Sequence, residues 1–190
     1  MDISKIFKSK TRKELFRLYF TNPDDEYYLR ELERLLSIPV SMIRKELIRL
    51  EEDGIFLSKR RGGSVFYFLN KSYPLFGELK SIVSKTIGVQ GSLKEILSRM
   101  KGIGVAFIYG SFAKHEETAR SDVDLFIVGK PDDDRLLREM NKLEAKLKRE
   151  INYGVFGRDE WKQKIRGKDS FIMDLLENPK IFLIGDQDDL

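Results

Sequence analysis

Residues 103 to 128 read IGVAFIYGSFAKHEETARSDVDLFIV, and this stretch decides the fold. An apolar run, Val105 to Tyr109, ends at Gly110-Ser111. A polar loop follows, and a second apolar run opens with Asp122-Val123-Asp124. The pattern predicts strand, tight turn, strand. Side chains alternate across a strand, so Asp122 and Asp124 share one face and can hold divalent cations between them, while Val123 points into a core.

Gly110 lets backbone approach a phosphate closely. Ser111, at the predicted start of a short helix, adds a hydroxyl and amide donors beside the positive helix end. Turn and carboxylates thus address the same ligand, a polyphosphate carrying metal, since cations screen such a chain and stabilise attacking and leaving oxygens.

Gly110-Ser111 followed by Ser121-Asp122-Val123-Asp124-Leu125 resembles the nucleotidyltransferase superfamily that includes DNA polymerase β, and within it the small minimal nucleotidyltransferases of prokaryotes. The resemblance covers about the C-terminal half. It implies a mixed β-sheet with flanking helices, a two-metal Mg2+ site on Asp122 and Asp124, and nucleoside triphosphate bound at Gly110, Ser111 and Lys114. Catalytic residues by the same resemblance are Asp122, Asp124 and a third position where many active members carry a carboxylate. Here that position is Asn152, a poor base and weak ligand, which implies reduced transfer activity. Glu150, two residues earlier, is the alternative. Lys114-His115 also departs from the Arg and Gly usual in the small relatives, and His115, the single histidine, reads as an exposed loop residue.

The 190 residues carry a formal net charge of +4 and no cysteine, which excludes disulfides and thiolate zinc sites and fits a reducing cytoplasm. No apolar run reaches membrane-spanning length, and residues 1–5 do not open a secretory signal. A soluble cytoplasmic protein is expected. Residues 1–90 hold 17 Lys and Arg against 12 Asp and Glu, and residues 91–190 hold 18 against 19, so the basic excess belongs to the first half. The expected domains are accordingly 1–90 and 91–190, in an α+β chain.

In the first half, helical stripes run over 11–20, 28–36 and from Val40, the third burying Val40, Ile43, Leu47 and Leu50 and ending at Gly54. Alternating strands over 55–59 and 64–70 follow, joined across Arg60-Arg61-Gly62-Gly63. Three helices and a hairpin with a basic tip resemble the winged helix-turn-helix transcription regulators over about residues 10 to 70. With its core face committed, the third helix leaves Ser41, Met42, Arg44 and Lys45 outward to meet base edges and phosphates of double-stranded DNA. Lys59, Arg60 and Arg61 extend that reach from the wing. A further helix over 74–87 would place Leu75, Leu79, Ile82 and Val83 on one side. Packing on its own domain, joining the two domains and pairing in a homodimer all remain open for it.

In the second half, Ser92-Leu93-Lys94-Glu95 predicts a capping box. Asp132-Asp133-Asp134 reads as a helix N-terminus rather than a metal cluster. A strand at 151–156, helices at 158–165 and 170–176 and a strand at 181–184 complete the domain, with Trp161 as packing. The expected function is a DNA-binding regulator whose nucleotidyltransferase-like domain binds Mg-nucleoside triphosphate. The alternative is an active nucleotidyltransferase that transfers an AMP-type group to a protein or small-molecule hydroxyl, in the manner of an antitoxin.

Overall fold

The computed structural model describes residues 7, 9–114, 116–118 and 121–190. The expectations for His115 and for the first five residues lie outside the described residues. Helices accompany two separate sheets, and the chain divides into compact units of residues 1–91 and 92–190. Among the described residues no helix is long and apolar enough to cross a membrane.

The first unit runs α1 (Lys10–Thr21), β1 (Tyr27–Tyr28), α2 (Leu29–Leu36), α3 (Val40–Glu52), β2 (Phe56–Arg61), β3 (Ser64–Leu69) and α4 (Phe76–Thr86). Ser9 starts α1 by accepting the Arg12 backbone N–H at 3.2 Å, satisfying one of the orphan donors of the first turn. The apolar stripes of α1, α2 and α3 meet in one core, where Leu15, Tyr19, Leu32, Ile43, Leu47, Leu50 and Phe56 are fully buried. Tyr19 also donates its hydroxyl to the Tyr67 carbonyl at 3.1 Å, so helix and sheet are joined by a satisfied polar contact.

Five details differ from the sequence expectations here. Val40 is only half-buried, while Glu46 is buried and accepts from Arg12 Nε at 2.5 Å, an ion pair between α1 and α3 that periodicity does not reveal. Arg60 and Arg61 belong to β2, leaving Gly62-Gly63 as the hairpin turn. Their φ values of +55° and +77° explain the glycines, because a two-residue turn that matches strand twist needs both left-handed. Leu75 caps the N-terminus of α4 and is exposed, so that helix buries Val83 and half-buries Leu79 and Ile82 without it. β1 is a two-residue strand that completes the antiparallel order β1-β3-β2.

The elements that follow are α5 (Val89–Ser98), β4 (Ile103–Tyr109), α6 (Gly110–Lys114), β5 (Val123–Gly129), α7 (Asp133–Leu147), β6 (Ile151–Phe156), α8 (Arg158–Arg166), α9 (Ser170–Glu177) and β7 (Ile181–Ile184). The capping box does not form, because α5 starts at Val89 and Ser92 lies inside it. The break between α4 and α5 falls at Ile87-Gly88, and Gly91 lies inside α5. A Cβ there would overlap the Thr86 backbone, so glycine serves close approach. The second unit's sheet has the order β6-β5-β4-β7, with β5 and β6 parallel and the other pairs antiparallel. One sheet face carries Phe107, Phe126 and Val128 against Trp161 of α8 and Ile172 and Leu175 of α9. Trp161 is core of this unit, 5.3 Å from Phe126 by ring centroids, and its indole N–H donates to the Leu190 carbonyl at 3.3 Å. Asp132 caps α7 by accepting the Arg135 N–H at 2.7 Å, the arrangement expected of the acidic triplet.

Candidate nucleotide and metal site

Strand register assembles the site. Asp124 is paired with Tyr109 of β4 on one side and with Asn152 of β6 on the other. Residues paired across neighbouring strands project to the same face, so these three side chains form a row. Asp122 lies one residue before β5, two places back along the same face and exposed.

Gly110 follows β4 immediately, and its backbone has φ +66°. A Cβ at Gly110 would overlap Asp124 Oδ2, so the carboxylate rests on the space the glycine leaves. Two features required glycine there: the left-handed backbone and the contact with the acid. Ser111 comes next in the five-residue α6, whose last turn is closed by the Glu116 N–H donating to the Ser111 carbonyl at 2.9 Å. Lys114 ends α6 exposed to solvent and forms no ion pair with either carboxylate among the described residues.

Asn152 turns its amide toward the acids, donating Nδ2–H to Asp122 Oδ2 at 3.1 Å. An amide donor orients a carboxylate but does not accept its proton. Glu150 is exposed and precedes β6, where its carbonyl accepts the Val123 N–H at 2.9 Å. Its backbone holds the start of β5, and it lies two places back from Asn152 on the same face, as Asp122 does from Asp124.

Burial, and secondarily the neighbouring Asp122 charge, hold the Asp124 carboxyl above its ordinary value. Burial, then the Asp124 charge, raise the Tyr109 phenol likewise. A partly buried carboxyl beside a second carboxylate suits a bound cation. Among the described residues no group of three or more His, Cys, Asp or Glu is placed to hold a metal, so any cation here would draw further ligands from substrate and water.

Sequence reasoning missed Arg149. This buried guanidinium donates to the carbonyls of Thr118 and Ser121, both at 2.7 Å, and lies 5.5 Å from the Phe112 ring, so it fixes the strand entry that carries Asp122. Nothing in the local pattern marks it, because one more basic residue after α7 looks like solvated surface. The residues assigned to DNA lie in the first unit. Ser41, Met42, Arg44 and Lys45 are all exposed on α3, while Lys59, Arg60 and Arg61 are exposed on β2. Lys59 and Arg61 both pair with Glu26, and they lie over the Phe68 and Phe66 rings respectively.

Residues 91–159 match the family described as polymerase beta, nucleotidyltransferase. No curated protein matches the chain. Among solved structures the chain is similar to a toxin-antitoxin crystal structure with AMP-PNP, at 15% identity and a TM-score of 0.38, over 53% of this chain and 76% of that one. It is also similar to a mutant of the toxin-antitoxin MntA-HpeT, at 13% identity and a TM-score of 0.36, over 53% of this chain and 75% of that one.

Proposed function

We propose that the second unit, a nucleotidyltransferase-like domain, binds a nucleoside triphosphate with a divalent cation and transfers the nucleotidyl group slowly to a hydroxyl acceptor. The observation that carries this reading is the seat of the Asp124 carboxylate against Gly110. With only hydrogen at that position, phosphate, cation and carboxylate can come within one coordination sphere.

The donor set fits a hard cation, since Asp122 and Asp124 offer carboxylate oxygens and magnesium takes its remaining ligands from water and substrate phosphates. Bound there, the cation would screen the polyphosphate and stabilise the developing charge. Gly110 and Ser111 would receive phosphate oxygens, and Lys114 would add a positive charge nearby. The acceptor oxygen attacks the α-phosphorus, the bond from that phosphorus to its bridging oxygen breaks, and pyrophosphate leaves. The acceptor proton passes to solvent, because Asn152 donates a hydrogen bond to Asp122 and offers no basic site. Absence of a positioned base costs on the order of a hundred- to ten-thousandfold in rate, so binding should outlast turnover. The acceptor class, a protein as in an antitoxin pair or a small molecule, rests on the family resemblance alone.

Incubation with α-labelled nucleoside triphosphates and magnesium tests the reading. Slow labelling of an acceptor is expected, together with faster labelling by Asn152→Asp. Rapid transfer by the native chain that Asn152→Asp leaves unchanged would contradict the assigned role of Asn152.

A second reading concerns the first unit, which we infer to be a winged helix-turn-helix that binds double-stranded DNA. It is favoured by the division of α3 into a buried face, Ile43, Leu47 and Leu50, and an exposed one, Ser41, Met42, Arg44 and Lys45. The antiparallel β2 and β3 would then form the wing.

A further inference from the structure

We propose that Phe171, supported by Tyr109, is the platform on which the nucleobase of the bound triphosphate stacks; this rests on the nucleotide-binding reading above. Nothing in the carboxylate row accounts for Phe171. Its helix, α9, buries Ile172 and Leu175 completely or nearly so, yet Phe171 is 45% exposed. Met42, Leu57, Leu75 and Leu137 are the other large hydrophobic side chains exposed among the described residues, so Phe171 is the only aromatic one.

The ring is also held rather than loose. Its centroid lies 6.2 Å from Tyr109 at an interplanar angle of 75° and 6.1 Å from Phe126 at 47°, and Phe126 is itself wedged against Phe156 and Trp161. One side of Phe171 therefore packs on a rigid aromatic cluster while the other stays open. Edge-to-face packing of this kind leaves the outer π-face available to a partner.

Tyr109 links the platform to the phosphate chemistry. It is the residue immediately before Gly110-Ser111 and the register partner of Asp124. Its hydroxyl has no hydrogen-bond partner among the described residues. Phosphates seated at the turn and cation seated at Asp122 and Asp124 leave the sugar and base to extend along the sheet face toward α9, past Tyr109. A flat, apolar, two-sided group is what an open aromatic ring at that point accepts, and every nucleobase presents one. The free Tyr109 hydroxyl is placed to meet the sugar or the base edge as the polar member of the subsite.

Stacking is tolerant of base identity, because each base has a π-face. The platform therefore predicts binding of all four ribonucleoside triphosphates, with purines favoured by their larger face. Loss of one stacking ring should weaken nucleotide binding by about tenfold to a hundredfold. It should not touch a ligand that has phosphates but no base.

The test uses the full chain and two probes with magnesium, ATP and inorganic triphosphate, titrated calorimetrically into native protein, Phe171→Leu and Phe171→Trp. Phe171→Leu keeps the apolar volume that supports α9 and removes the ring. The expected result is a selective loss of ATP affinity in Phe171→Leu with triphosphate affinity unchanged, and near-native ATP affinity in Phe171→Trp. Phe171→Trp also gives an independent readout, since its exposed indole emission should be quenched by ATP and not by triphosphate. Equal ATP affinity in Phe171→Leu and native protein would overturn the platform. Parallel loss of both ligands would overturn it as well, because the ring would then be shaping the phosphate turn. If native protein binds neither probe, the nucleotide-binding reading itself fails. If it binds both but Phe171→Trp emission ignores ATP, only the platform fails.

Discussion

Gly110 carries two constraints at one position: a left-handed backbone and a carboxylate packed where a side chain would begin. Gly110→Ala therefore strains the turn and pushes Asp124 out of its seat, at a cost on the order of 1–3 kcal/mol. The expected outcome is a lowered Tm for the second unit and loss of metal-dependent ATP binding, read by calorimetric melting and titration. Asp124 gives a prediction with a definite sign. Its carboxyl is held above the ordinary value, first by burial and then by Asp122. The native state thus holds this proton more tightly than the unfolded chain does. Its stabilising contribution is fully present below the unfolded pKa and is lost as pH rises through the folded one. Asp124→Asn, which mimics the protonated form, should raise Tm in EDTA at neutral pH. It should also remove any further rise on adding magnesium and ATP. In native protein, cation-dependent binding should fade as pH drops through a window above the usual aspartate range, because a cation must displace that proton. A Tm for Asp124→Asn below native in EDTA would contradict this assignment.

Among the elements, α3 and the β2–β3 hairpin give the sharpest contrast. Arg44 and Lys45 are exposed on α3, whereas Lys59 and Arg61 on β2 already answer Glu26. Charge that is paired within the protein releases less on meeting a phosphate. Replacing Arg44 and Lys45 by Ala should therefore abolish a mobility shift on DNA upstream of the chain's own gene. Replacing Lys59 and Arg61 should weaken it only a few-fold. Unchanged shifts in both would remove the DNA-binding reading. Much of this layout was legible in the sequence, because helices of eight or more residues repeat their apolar side chains at Leu29, Leu32 and Leu36 or Ile43, Leu47 and Leu50. The strand at 151–156 and that at 181–184 were read to the residue. What escaped has physical reasons. A two-residue strand such as β1 has no period to detect. The start of α5 at Val89 depends on Gly91 lying against the Thr86 backbone, a tertiary contact that a capping-box pattern cannot anticipate. Within the site, Gly110, Asp122 and Asp124 were legible as a motif, while the Asn152 to Asp122 hydrogen bond and the Arg149 clamp arise only once β5 and β6 are in register.

At the scale of the whole molecule, each unit has its own core. An aromatic and leucine-rich cluster from Phe7 to Ile87 serves the first, and the two-sided sheet serves the second. The family match begins at residue 91, beside the division between the units, and the basic excess lies before it. The basic excess and the family match thus fall in different halves of the chain. The central claim is that the turn and the carboxylate pair work as one site for metal and nucleotide. Calorimetric titration of ATP into native protein and Asp122→Ala, each with magnesium and with EDTA, tests it most directly. One ATP per chain should bind native protein only when magnesium is present, and Asp122→Ala should show no magnesium-dependent binding. Equal ATP affinity in all four titrations would contradict the account.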